Sequence, residues 1–447
     1  MHLNADRWMK LWYETMGKKN KTKNDIEWER LFRRYDILNE VEYEGEFVIT
    51  AEQIKEYREP RLMAKFDHSI NLPKIFARNR LSILPISRRE YLISHAEAYH
   101  SFEQVEKTII SAEMPPWIQS LNTNNITSET MAINCAWAAG ILSDFLGEEN
   151  LYPTVSGRMS SGNFKFDICN AETRKNRNVN VGNSQIEIDA AFEGLESLSL
   201  LEAKIDLSKD FLVRQLYYPF RVWRDRVNKK VKPIFLVYSN GIFSLYEYEF
   251  QDPNVYNSLQ LVKHRNYSIE DTAIRLMDLQ EVAARVTLVE EPSVSFPQAN
   301  NFKRVINICE LLGNHSMTGE EVTEEYAFDV RQTNYYTNAA IYLGLVEKTH
   351  GKKRKPEYFL SDRGKRIMNL NYKQRQLALC GLILQHRAFK DAFDLWMNMG
   401  KIPGIAQIVP IMEKANIYQV KSIETYERRA STILGWINWM FELIDEA

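Results

Sequence analysis

The sequence predicts a multidomain α/β (α+β) protein, in which a mixed β-sheet core with helices on both faces is followed by helix-rich C-terminal domains. Three observations carry that expectation. A chain of 447 residues is too long for one comfortable core. The segments NFKFDI, SQIEIDAAF, SLSLLEAKI and KPIFLVYS, with GIFSLYEYEF after them, alternate or run apolar over strand lengths. Between the third and fourth, FLVRQLYYPFRVWRDRV is long enough for a crossover helix, and strand–strand–helix–strand order fits a mixed sheet.

In chain order, residues 1–125 read as an N-terminal module of short apolar runs broken at Pro73 and Pro85 and closed by Pro115-Pro116, with the polar run NTNN at 122–125 as a linker. From Thr127 the spacing turns helical: a Thr or Ser can cap, and Ile133, Trp137, Ile141 and Phe145 form a stripe facing the core. This helix opens a sheet domain at 126–290, and Pro292 and Pro297 mark its end. Residues 301–370 read helix, helix, helix, strand, hairpin, strand, with TGEEVTEEY as an N-cap signature and the basic tip HGKKRKP between two strands. Residues 371–447 are helical; in the last segment Ile433, Trp436, Ile437 and Met440 should pack inward, leaving Thr425, Arg428, Arg429 and Ser431 outside.

Composition narrows the class. Hydrophobic residues make up 45% and charged ones 26%, ordinary for a globular protein, and a net charge of −2 excludes a uniformly basic nucleic-acid binder but not local basic faces. Cys135, Cys169, Cys309 and Cys380 lie far apart without a CxxC pair, which argues against a zinc site or a disulfide framework. No stretch reaches ~18 apolar residues and the start has no signal-peptide pattern, so the expected location is cytoplasmic, away from membranes. No GxxxxGK[ST] loop, zincin His pair or Gly-x-Ser-x-Gly elbow is present, so no nucleotide cofactor is expected.

The chemistry lies in SQIEIDAAF and SLSLLEAKI. Alternate residues of a strand share a face, so Glu187, Asp189 and Ala191 should lie on one side of the first strand, and Leu198, Leu200, Glu202 and Lys204 on one side of the second. Paired as a hairpin, the strands can bring Asp189 to Glu202 and Lys204. Two carboxylates can hold Mg²⁺ while leaving positions open for water and a phosphate oxygen, and a neighbouring ammonium offsets transition-state charge. A lone Glu-x-Lys is equally an ordinary ion pair or a solvated strand edge; the upstream Asp, the apolar flanks and the basic helix that follows favour catalysis.

IEIDAAF followed by LLEAK resembles the Asp…Glu-x-Lys signature of the PD-(D/E)XK nuclease superfamily, to which most type II restriction endonucleases belong; the usual proline before the Asp is replaced by Ile188. The resemblance implies a restriction-endonuclease-like core, Asp189 and Glu202 as metal ligands, Lys204 as the catalytic lysine, and Mg²⁺ as cofactor. It also suggests Glu129 as a further ligand, although a Glu in a first helical turn is equally a response to the helix dipole. Gln215 and Tyr218 would support the site. On the same helix Arg214, Tyr218, Arg221 and Arg224 fall at three- and four-residue steps, either toward a phosphate backbone or as the solvated face of a crossover helix.

Residues 301–370 resemble a winged helix whose recognition helix, DVRQTNYYTNAAIYLG, would expose Arg331, Gln332, Asn334, Tyr335 and Asn338 to base edges. Between Lys348 and Arg366 eight Lys or Arg stand against two acids, and Lys352, Lys353, Arg354 and Lys355 suit phosphates at a hairpin tip unless they are merely solvated. Arg428 and Arg429 open a second helix-turn-helix-like unit, and Arg61, Lys65, His68, Arg88 and Arg89 are further candidates in the leading region. The expected function is that of a type II restriction endonuclease cutting double-stranded DNA. It would act as a homodimer and alongside a companion DNA methyltransferase with which it forms no stable complex. The alternatives are a modification-dependent or repair endonuclease of the same superfamily, and a non-catalytic winged-helix regulator.

Overall fold

The computed structural model describes residues 21–103, 107–123, 126–313, 315–325, 328–349, 355–420 and 422–444. Mixed α+β architecture is what it shows. The leading part carries β1 (Glu46–Thr50), β2 (Ser82–Pro85) and β3 (Glu90–Ser94), ordered β1-β3-β2, over a small core around Trp28, Phe32, Phe76 and Ile93. The helix Lys23–Arg34 that supplies Trp28 starts at a capping box between Thr22 and Asp25.

The central sheet draws on β5 (Ile109–Ser111), β6 (Tyr152–Ser160), β9 (Gln185–Glu193), β10 (Ser197–Lys204), β12 (Lys230–Ser239), β13 (Ile242–Phe250) and β14 (Leu259–Ser268), ordered β5-β14-β13-β12-β10-β9-β6. It is mixed: β10 runs parallel to β12 and β5 to β14, while the other neighbours are antiparallel. The parallel step from β10 to β12 requires a crossover, and the helix Arg214–Arg224 supplies it. One face of the sheet packs under that helix and the other under the helices Glu129–Ala138 and Ile141–Leu146, so all of β10 is buried.

Several expectations need correction. NFKFDI is not in the central sheet; as β7 (Asn163–Cys169) it pairs with β8 (Asn176–Gly182) in a separate ribbon, where Phe166 packs on Tyr217 and Tyr256. The sequence reading missed β6, β8 and β14. The helix expected to run unbroken from 127 is two helices, because Gly140 takes a left-handed conformation (φ 73) and ends the first. Trp137 consequently leaves the stripe: Ile133, Ile141 and Phe145 are buried, but Trp137 is 40% exposed. The leading region and the sheet domain also share strands, since β4 (Tyr99–Ser101) pairs with β11 (Asp210–Leu212) and β5 joins β14.

Downstream, the helices Phe302–Leu311, Gly319–Glu325 and Val330–Tyr342 accompany a small antiparallel sheet of β15 (Met317–Thr318), which follows the first of them, β16 (Val346–Lys348) and β17 (Glu357–Leu360), ordered β15-β17-β16. One hydrophobic cluster runs from Ile274 to Met440 and binds this unit to the four helices Tyr372–Leu384, Arg387–Met399, Ile405–Lys414 and Ile423–Glu442. In the last of these Ile433, Trp436, Ile437 and Met440 are buried, and Trp436 Nε1 donates to Ala299 O at 2.6 Å. Among the described residues no helix is long and apolar enough to cross a membrane.

Candidate active site

The antiparallel β9–β10 ladder stops short of its end. Its last register pair is Leu201 with Ala190, and the next residues outward are Glu202 and Asp189. On its other edge β9 shifts register against β6 between Val155/Ala191 and Gly157/Ile188, which puts a bulge at Asp189–Ala190. The alternation expected along β9 breaks there: Ile186, Ile188 and Ala191 all enter the same core. In place of the missing ladder bond, Asp189 Oδ2 accepts from the main-chain N–H of Ala203 at 2.9 Å.

Glu202 and Lys204, each 8% exposed, extend the face of β10 that begins with Leu198 and Leu200. Lys204 Nζ donates to Glu202 Oε1 at 2.6 Å and to Ala203 O at 3.2 Å. It also lies 3.4 Å from Glu129 Oε1 and 3.9 Å from Asp67 Oδ2. Gln215, in the first turn of the crossover helix, donates through Nε2 to Glu202 Oε1 at 2.5 Å. Glu202, Lys204, Glu129 and Gln215 therefore come together, and Asp189 stands beside them at the Ala203 N–H, close enough for its charge to act on Glu202 and Lys204. Tyr218 does not: it is fully buried and its hydroxyl donates to Pro85 O at 3.1 Å.

Burial pushes the Glu202 carboxyl well above the usual carboxylate range; Lys204 opposes the shift and Asp189 adds to it. Glu129 is also raised, by burial and then by the nearby Asp189 and Asp206 charges against Lys204. Burial works against the charge on Lys204, but the carboxylates of Glu202, Asp67, Glu129 and Asp189 outweigh it and hold the ammonium protonated. One amine thus stands among four carboxylates.

Sequence reasoning missed Asp67 and Asp206 here and the buried pairing of His68. His68 is 3% exposed; Nε2 lies 3.3 Å from Asp206 Oδ2 and Nδ1 lies 2.6 Å from Asp210 O. Asp206 continues the alternation of Glu202 and Lys204, a signal that could have found it. No local pattern points to Asp67 or His68, whose partners are far along the chain.

These groups line one open cleft of about 1650 Å³ between the leading region, the central sheet and the start of the helix Val330–Tyr342. Arg61, Lys65, Arg88, Arg158, Arg214 and Arg331 bring positive charge to its walls. Among the described residues no three His, Cys, Asp or Glu are grouped closely enough to form a metal cage. Mg²⁺ does not need one, because it usually binds through one or two carboxylates together with waters and substrate phosphates. The donors fit such an ion: carboxylates exceed cations, and the buried acceptors Gln215 Oε1 and Asp206 Oδ1 have no hydrogen-bond partner.

Two basic residues of the crossover helix are engaged in the fold, while Arg224 is exposed beside Asp225. Arg214 donates to Gln185 O at 2.6 Å, and Arg221 donates to Lys165 O and to the Tyr217 hydroxyl, each at 2.9 Å. Of the expected phosphate-facing side, Tyr218 is in the core, Arg214 and Arg221 are half-buried and Arg224 is exposed. On the helix Val330–Tyr342, Arg331, Asn334 and Asn338 are exposed, and Gln332 and Tyr335 are half-buried. Arg331 Nε donates to the Tyr335 hydroxyl at 2.8 Å, and Gln332 Oε1 accepts from Arg304 at 3.3 Å. Lys355 pairs with Glu320; Lys352, Lys353 and Arg354 lie outside the described residues. Arg428 is exposed, whereas Arg429 is half-buried against the Gln298 amide.

Residues 25–93, 94–268 and 304–445 match the models of three domains of unknown function, DUF6996, DUF6997 and DUF7226 respectively. No curated protein and no solved structure matches the chain.

Proposed function

We propose that the chain is a Mg²⁺-dependent endonuclease of double-stranded DNA, a type II restriction enzyme with a PD-(D/E)XK core and a winged-helix reading unit at 301–370. The observation that carries this reading is the meeting of Asp189, Glu202, Lys204 and Gln215 where β9 and β10 part, in a cleft that also takes in the start of the helix Val330–Tyr342. Three exposed polar side chains of that helix, Arg331, Asn334 and Asn338, are of the types that read guanine and adenine edges.

Asp189 and Glu202 would hold Mg²⁺, which when bound polarises the phosphoryl group and makes water a stronger nucleophile. The chain's own groups do the rest. Gln215 fixes one oxygen of Glu202, and the Ala203 N–H fixes one of Asp189, so both carboxylates are oriented before substrate arrives. Lys204 keeps its proton and offsets the charge that grows on the phosphoryl oxygens as water adds at phosphorus and the bond to the 3′ oxygen breaks. Products are a 5′-phosphate and a 3′-hydroxyl. On this reading two copies act as a homodimer on a palindromic site in the cytoplasm, and a companion DNA methyltransferase protects host DNA without a stable complex.

Digestion of a mapped viral genome tests the proposal. Discrete fragments with Mg²⁺, none with EDTA, and a Lys204→Ala protein that binds but does not cut are the expected results. Wild-type protein that binds DNA and never cuts it would leave a non-catalytic regulator as the better reading. Fragments from methylated plasmid alone would point to a modification-dependent enzyme.

A further inference from the structure

The leading region is stitched to the strand exit beside Lys204. Leu212 N donates to Asp67 O at 2.8 Å, Ser69 N donates to Asp210 Oδ1 at 2.9 Å, and His68 sits on Asp206 and on Asp210 O. These main-chain and buried contacts set where residue 67 stands, and its carboxylate is left facing two ammonium groups, Lys65 at 3.7 Å and Lys204 at 3.9 Å.

Lys204 meanwhile donates to Glu202, an oxygen that a metal ion would need. A cation and an ammonium compete for that carboxylate, so the ammonium needs another acceptor within a short swing. Asp67 stands there on a locked segment, whereas Glu129 is the first residue of its helix and has a side chain 40% exposed. We infer that Asp67 is a positioning residue of the reaction centre: it draws the Lys204 ammonium off Glu202 and so frees that carboxylate to bind a divalent cation. This inference rests on the proposed function, and it makes the leading region part of the site.

A double-mutant cycle tests it without a cleavage assay. Mn²⁺ binding to the full chain would be measured by calorimetry for wild type, Asp67→Asn, Lys204→Met and the double variant, with thermal melting of each. Asp67→Asn should weaken Mn²⁺ binding about three- to fivefold, the scale of a partly exposed ion pair, in the wild-type background only. With Met at 204 no ammonium has to move, so the same change should have no effect. Asp67→Glu should restore binding. An equal loss in both backgrounds would mean that Asp67 acts through its charge alone and would overturn the inference, as would no loss in either. Wild type that binds no Mn²⁺ would sink the metal-dependent function itself, and the inference with it. The side chain of Asp67 makes none of the bonds that lock the segment, and Asp67→Ser replaces Asp67→Asn should the latter fail to melt cooperatively.

Discussion

Asp189 Oδ2 accepts from the main-chain N–H of Ala203 at 2.9 Å, taking the place of a ladder bond that β9 gives up at its bulge. The same carboxylate thus closes the sheet and faces the cleft, so two properties can be separated by substitution. Asp189→Ala leaves the buried Ala203 N–H without its acceptor and should destabilise the fold by ~1–3 kcal/mol. Asp189→Asn keeps an acceptor oxygen and should melt close to wild type. Both should abolish cleavage. Urea unfolding beside a plasmid assay checks this, and equal stability of the two variants would contradict it.

The His68–Asp206 pair predicts a pH dependence of stability. Burial pulls the His68 imidazole down, but the Asp206 charge and the Asp210 carbonyl outweigh it and the net direction is up; burial likewise opposes the Asp206 charge, but His68, then Lys204 and Arg304, lower its carboxyl. A raised imidazole stabilises fully below its unfolded value and loses that contribution as pH rises through the folded value. A lowered carboxyl stabilises above its unfolded value and loses its contribution as pH falls through the folded one. The pair should therefore contribute fully between about pH 4 and pH 6.5. His68→Asn leaves Asp206 charged and buried and should lose ~3–5 kcal/mol in that window. The gap to wild type should narrow at alkaline pH; denaturant titrations across pH that show a constant gap would contradict the assignment.

Gln215 orients Glu202 without adding charge. Gln215→Ala should lower the cleavage rate about 10- to 100-fold, the usual effect of losing a group that orients a metal ligand, with DNA affinity unchanged. A rate within twofold of wild type in single-turnover cleavage would remove Gln215 from the site.

Arg331, Asn334 and Asn338 are exposed, and the side-chain bonds of Arg331 and Asn334 run to Tyr335 and Val330 O within the same helix. Arg331→Ala or Asn338→Ala should each weaken discrimination between DNA sequences by ~1–3 kcal/mol and leave the melting temperature unchanged. Binding to randomised duplexes measures this. Unchanged sequence preference in both variants would move base reading elsewhere on the chain.

Gly435 reports on how the last helix seats. A Cβ there would run into Asn300 O, beside the Trp436 bond to Ala299. Gly435→Ala should therefore cost about 1–3 kcal/mol by overpacking, read as a lower melting temperature of the unit after residue 300. An unchanged melting profile would show that the backbone yields freely.

Much of the sheet and the central trio was legible along the chain. Asp189, Glu202 and Lys204 lie on two strands joined by a short turn, and alternation within a strand is a local property of extended backbone. The bulge was not legible, because it answers to β6 on the far edge of β9, a strand whose exposed residues left no apolar pattern to read. Arg214 and Arg221 looked free for the same reason: their acceptors, Gln185 O and Lys165 O, belong to other elements.

By itself the sequence determined which side chains share strand β10 and stand one hairpin away from Asp189, since pleat and turn act over a few residues. Only the tertiary structure decided that Asp67 would face Lys204, that His68 would be buried against Asp206 instead of solvated, and which arginines remain exposed. Those outcomes depend on how separately formed cores pack together, and no short-range periodicity encodes the contact between them.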